Sequence, residues 1–112
     1  MTVYEEIFEV ISQRKKEYEN GTAAENSYTA YLFEKGVDKI CKKVGEEATE
    51  TVIAAKNGDN EELANEINDL LYHVMVLCAN QGLAWADVEK ILAERNLKAG
   101  NLKTFHQVDK NT

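Results

Sequence analysis

The stretch VGEEATETVIAAKNGDNEELANEINDLLYH, Val44 to His73, decides how the rest of the chain is read. It holds two helical patterns and one turn. Asn57-Gly58-Asp59 interrupts a segment that is otherwise apolar at helical spacing and free of proline. Asp59 is placed to cap the second helix, and Glu62, three residues on, completes a capping box. Two long amphipathic helices joined by so short a connection fold back on each other as an antiparallel hairpin.

Outward from the turn, the first arm reaches back to Val37 and the second runs to about Gln81, where Gly82 is the natural terminating residue. Before the hairpin, Val3, Ile7, Val10 and Ile11 mark an amphipathic helix running to about Glu19. The polar link NGTAAEN follows, and Ser27 caps a short helix through Lys35 that Gly36 ends. After the hairpin, a last helix spans about Trp85 to Leu97. Residues 1–97 make one all-α domain, a helical bundle around the hairpin, and residues 98–112 read as an irregular tail.

Composition narrows the function. A net charge of -7 and a pI near 4.8 argue against non-specific binding of nucleic acid or of an anionic membrane. The N-terminus lacks an apolar signal segment and no run approaches membrane-spanning length, so a cytoplasmic location is expected. Cys41 and Cys78 sit at apolar helical positions and read as reduced core thiols.

On a helical wheel, Val37, Cys41, Val44, Ala48, Thr51 and Ala55 form the expected core stripe of the first arm. Glu47 and Glu50 lie on its flank, and Glu46 points furthest away. On the second arm the stripe is Leu63, Ile67, Leu70, Leu71, Val74 and Cys78, flanked by Glu62, Glu66, Asp69 and His73. Glu50 and Glu66 stand eight residues either side of Gly58, and Glu47 and Asp69 stand eleven either side. Equal rise along both arms sets each pair at one height, so four carboxylates approach a common point. A single acid pair at this spacing is usually solvated surface. Two pairs, symmetric about a turn and beside the buried stripes, repel one another unless a cation joins them. An all-oxygen ligand set suits magnesium, with manganese as a substitute. Zinc would want His or Cys, and a di-iron bundle would have a histidine where Asp69 stands.

Glu-Glu-x-x-Glu, a gap of fifteen residues, then Glu-x-x-Asp resembles the signature of the all-helical MazG-type and dUTPase-like nucleoside triphosphate pyrophosphohydrolases. More narrowly, SYTAYLFEKGVDKICKKVGEEATETVIAAKNGD followed by EINDLLYH resembles the phosphoribosyl-ATP pyrophosphatases of histidine biosynthesis. The resemblance covers about Val3 to Arg95. It implies hydrolysis of the α–β phosphoanhydride of phosphoribosyl-ATP to phosphoribosyl-AMP and pyrophosphate, with magnesium. It also implies Glu47, Glu50, Glu66 and Asp69 as metal ligands. A carboxylate beside the metal, Glu47 or Glu50, would then serve as the base, and the outward angle of Glu46 suggests an outer or partner-facing role. A homodimer or higher assembly that completes the bundle is implied as well, and the next pathway step would fall to another protein.

Lys39, Lys42, Lys43 and Lys56 are candidate phosphate contacts, against the ordinary reading of lysines as solvated helix flank. Ser27 and Thr29 stand at a helix N-terminus, where a phosphate or a plain cap both fit. His73 is a candidate to support the metal or touch substrate, or else a hydrogen-bonded core histidine. Tyr31 departs from the family pattern, in which a basic residue often follows Ser-Tyr-Thr-Ala. The alternatives are a pyrophosphohydrolase for another nucleotide and a non-enzymatic helical interaction module.

Overall fold

A computed structural model describes residues 1–98, and among them all regular structure is helical. The helices are α1 (Val3–Glu19), α2 (Tyr28–Lys35), α3 (Val37–Lys56), α4 (Asn60–Asn80) and α5 (Trp85–Asn96). The tail expected to be irregular lies, beyond Lys98, outside the described residues. No described helix is long and apolar enough to cross a membrane.

Local chemistry accounts for the helix ends. Thr2 opens α1 with a complete capping box: its hydroxyl accepts from the Glu5 N–H, and the Glu5 carboxylate accepts from the Thr2 N–H, both at 3.2 Å. Ser27 Oγ accepts from the Ala30 N–H at 3.2 Å and starts α2. Asp59 Oδ1 accepts from the Glu62 N–H at 3.1 Å and starts α4. The expected reciprocal half of that box is replaced. The Asp59 N–H donates to the Ala54 carbonyl instead, a bond that closes the end of α3. Gly58 makes this reversal with φ +69, a left-handed conformation that costs a side-chain-bearing residue.

α3 and α4 pack along one another as the antiparallel hairpin. The core lies at the end away from the turn, where α1 and α2 cover the hairpin. Ile11, Leu32, Phe33, Ile40, Met75, Val76 and Ala79 form it, with Tyr4, Ile7, Phe8, Tyr72, Leu77 and Trp85 partly buried against it. α5 has no buried residue and is held chiefly by Trp85, which stacks on Phe8 at 6.2 Å.

The two expected stripes are rotated. On α3 the buried residues are Ile40, Glu47 and Ala54, seven apart, while Val37, Cys41 and Ala55 are exposed. On α4 the buried residues are His73, Met75, Val76, Cys78 and Ala79, while Ile67 is exposed. Cys78 is therefore a core thiol, as read, and Cys41 is a surface one. The reason is geometric. A wheel finds the apolar arc of a helix but not which edge of it the neighbours cover. Here α1 and α2 cover one edge, and Val52, Ile53 and Ile67 stay exposed towards the hairpin tip.

Candidate metal centre

The hairpin brings Glu47, Glu66 and Asp69 together, each offering a carboxylate oxygen within 4.8 Å of the others. Glu47 is buried by its seven-residue register with Ile40 and Ala54, at 7% exposure. Its Oε1 lies 3.6 Å from Lys43 Nζ, but its Oε2 is out of solvent contact and has no hydrogen-bond partner. Glu66 Oε2 is in the same position, although the residue as a whole is half-exposed. Two buried, orphaned carboxylate oxygens facing a third acid are expensive without a cation or a shared proton.

Electrostatics at Glu66 reports that conflict. Its carboxyl is pushed up to about 8, first by the abutting carboxyl of Glu50, then by burial, then by the carboxyls of Glu47 and Glu62. Glu50 thus adjoins Glu66, as the eight-residue symmetry requires, but stands outside the compact triad. It lines a cavity of about 200 Å³ on the turn side, with Asp59, Glu62 and Glu66. Glu62 is an acid of this cluster that the sequence reading left on the flank. Its position one turn before Glu66 was the signal available. The donor set, carboxylates only, fits a hard cation.

Around the acids, the other candidates divide. Glu46 is exposed, and its Oε2 lies 3.4 Å from Lys43 Nζ. Burial pulls the Lys43 ammonium down, but Tyr28, the bond to Glu46 and the charges of Glu46 and Glu47 outweigh it, and the net shift is upward. Lys42 and Lys56 are exposed and Lys39 half-buried. Ser27 is engaged as the α2 cap. Thr29 is buried, with its hydroxyl bonded to that of Tyr72. Ser27 and Thr29 line a cavity of about 510 Å³ between α1 and α2, together with Arg14, Tyr28 and Tyr72.

His73 is buried and ties this cluster to the acids. Its Nδ1–H donates to the Asp69 carbonyl at 2.7 Å, so in the neutral ring Nε2 accepts from the Tyr28 hydroxyl, 2.8 Å away. The Tyr28 phenol is pushed up by burial, with Lys43 opposing and Glu47 reinforcing that shift. Tyr28 and Tyr72 escaped the sequence reading. Their signal was slight: an aromatic between two candidate hydroxyl residues, and one beside His73.

A helical hairpin that gathers acids between its arms, under a cap of two further helices, defines an all-α protein built around a carboxylate centre. A family model described as phosphoribosyl-ATP pyrophosphohydrolase matches residues 4–96. The chain is 50% identical over 101 residues to the phosphoribosyl-ATP pyrophosphatase of Clostridium novyi, covering 90% of this chain and 87% of that one. It is 47% identical over 105 residues to the phosphoribosyl-ATP pyrophosphatase of Streptococcus sanguinis, covering 94% and 96%. Against the longer histidine biosynthesis bifunctional protein HisIE of Oceanobacillus iheyensis, identity is 60% over 74 residues, 66% of this chain and 34% of that one. The chain belongs to the phosphoribosyl-ATP pyrophosphohydrolase family and is a hydrolase.

Proposed function

We propose that this chain hydrolyses the α–β phosphoanhydride of phosphoribosyl-ATP in histidine biosynthesis, with magnesium held by Glu47, Glu66 and Asp69 and by Glu50 beside them. The observation that carries the metal is the pair of orphaned oxygens, Glu47 Oε2 and Glu66 Oε2, in a carboxylate-only cluster. The similarity to proteins named phosphoribosyl-ATP pyrophosphatase supports the substrate. When bound, magnesium supplies positive charge to the phosphate oxygens and to the pyrophosphate that leaves.

The chain's own residues do the rest. A carboxylate beside the metal, Glu47 or Glu50, accepts the proton of the attacking water through an oxygen that does not hold the ion. The new bond joins water oxygen to the α-phosphorus, and the bond from that phosphorus to the bridging oxygen breaks. Pyrophosphate and phosphoribosyl-AMP leave. Lys43 is held beside the acids by Glu46 and Glu47, within an ammonium's reach of a phosphate. His73 fixes Tyr28 and is anchored to the main chain of Asp69, which keeps that acid's backbone in place.

We also propose that the working unit is a cytoplasmic homodimer. Val52, Ile53 and Ile67 leave apolar side chains exposed near the hairpin tip, and a second copy would cover them.

Pyrophosphate release from phosphoribosyl-ATP, dUTP and dCTP, each with and without magnesium, tests the reading. Magnesium-dependent turnover of phosphoribosyl-ATP is expected, with Glu50→Gln and Asp69→Asn each inactive but still folded. Preference for a deoxynucleotide, or full activity in Glu50→Gln, overturns it.

A further inference from the structure

Beside the acids, α2 carries an aromatic pair that the chemistry above does not use. The rings of Tyr28 and Tyr31 lie 6.3 Å apart, inclined by 28°, and both remain substantially exposed, 46% and 39%. Exposed tyrosines on a short helix are usually mobile side chains. Tyr28 is not free to move. Its hydroxyl is bonded to His73 Nε2, its ring meets the His73 edge at 81°, and His73 is itself bonded to the Asp69 carbonyl. A chain of two hydrogen bonds therefore fixes the ring relative to the metal-ligand candidate Asp69. Tyr28 also lies within electrostatic reach of Lys43 and Glu47.

The charge around the pair selects its occupant. In a chain of net charge -7, residues 35–43 carry Lys35, Lys39, Lys42 and Lys43 against the single acid Asp38. The Lys35 ammonium sits over the Tyr31 ring, 5.7 Å from its centre. Two exposed, stacked aromatic rings with a fixed inner member, beside the proposed hydrolytic centre and with Lys35 over the outer ring, match a planar base attached to phosphates. They do not match an apolar protein partner.

We propose that Tyr28 and Tyr31 form the stacking platform for the purine base of the nucleotide substrate. Tyr28 is the fixed inner ring and Tyr31 the outer one. Stacking on a π-face needs no hydrogen-bond readout, so the platform supplies affinity and orientation. It sets the phosphoanhydride over the acids by holding the base at a fixed distance from them. The proposal rests on the nucleotide-hydrolase reading above for its occupant, but its test does not depend on turnover.

The test measures two quantities in wild type, Tyr31→Ala, Tyr31→Phe and Tyr31→Leu. The first is the steady-state kinetics of phosphoribosyl-ATP hydrolysis with magnesium. The second is equilibrium binding of AMP and of ribose 5-phosphate by calorimetry. Tyr31→Ala is expected to raise KM and weaken AMP binding roughly tenfold, with kcat changed less than about twofold. Tyr31→Phe restores both values and Tyr31→Leu does not, because the ring and not its bulk is what the base meets. Ribose 5-phosphate binding stays the same in all four proteins. Unchanged AMP affinity in Tyr31→Ala overturns the platform, whatever the turnover. So does full rescue by Tyr31→Leu, or dissociation of the wild-type oligomer by Tyr31→Ala, which would mark the pair as a subunit contact. Failure of the wild type to hydrolyse phosphoribosyl-ATP, with ring-dependent AMP binding intact, removes the substrate assignment and leaves the platform standing.

Discussion

At the scale of single residues, the decisive feature is the crowding of acids around two carboxylate oxygens, Glu47 Oε2 and Glu66 Oε2, that are buried without donors. Glu66 is the sharpest case, because three carboxyls abut it. Its folded value near 8 lies above the ordinary 4.5, so the folded protein keeps a proton that the unfolded chain has already released. The stability this group contributes is complete below about 4.5 and is lost as pH rises through about 8. In EDTA the melting temperature should therefore fall as pH rises across that window, and Glu66→Gln should flatten the dependence. Magnesium needs the ionised form, so its stabilising effect should grow with pH, and its binding near neutrality should release a proton detectable by calorimetry in buffers of different ionisation enthalpy. Glu47→Gln offers a second check. An amide donor in place of an orphaned oxygen should stabilise the metal-free protein by about 1 kcal/mol in urea unfolding while abolishing the magnesium response. A loss of stability in EDTA would mean that the Lys43 pairing matters more than the repulsion.

At the scale of elements, the hairpin turn sets the register on which the site depends. Ala54 accepts from Asp59, Ile53 from Asn57, and Gly58 turns the chain with a positive φ. Space at Gly58 is open, so the cost of Gly58→Ala is one of backbone conformation alone, about 1 kcal/mol. Asp59→Ala removes the α4 cap and should cost about as much. Both variants should keep the fold and lower the urea midpoint without changing its slope. Ile40→Ala is a different kind of change. Ile40 is fully buried where α3 meets the core, and its truncation should cost about 2–5 kcal/mol. The Ser27 and Asp59 caps and the glycines at 36 and 82 were legible in the sequence because they act within four residues of themselves, whereas the Thr2 box that opens α1 was missed. The burial pattern was legible only as a broad arc. Ile40, Glu47 and Ala54 were distinguishable from Val37, Val44 and Thr51 only once α2 and α4 had closed on one edge of α3.

At the scale of the molecule, the core gathers at one end and the hairpin tip extends beyond it. Of the tip's larger apolar side chains, Val52, Ile53 and Ile67 are all exposed, at 60%, 53% and 39%. A charge placed there costs nothing in an isolated chain and is strongly disruptive in a subunit interface. Ile53→Glu should therefore shift the protein to monomer in sedimentation velocity at micromolar concentration, with its helical circular dichroism retained. An unchanged assembly would place the subunit contact elsewhere.

The sequence by itself determined where the helices begin and end, that α3 and α4 form a hairpin, and that acids equidistant from Gly58 meet across it. Those outcomes follow from local capping chemistry and from the fixed rise of a helix, which need no knowledge of neighbours. The tertiary structure alone decided that Glu47 is buried rather than flanking, that Glu62 joins the cluster, and that Tyr28, forty-five residues from His73, is the ring His73 holds. Those contacts join segments whose relative position depends on which faces pack, and packing is a property of the assembled bundle.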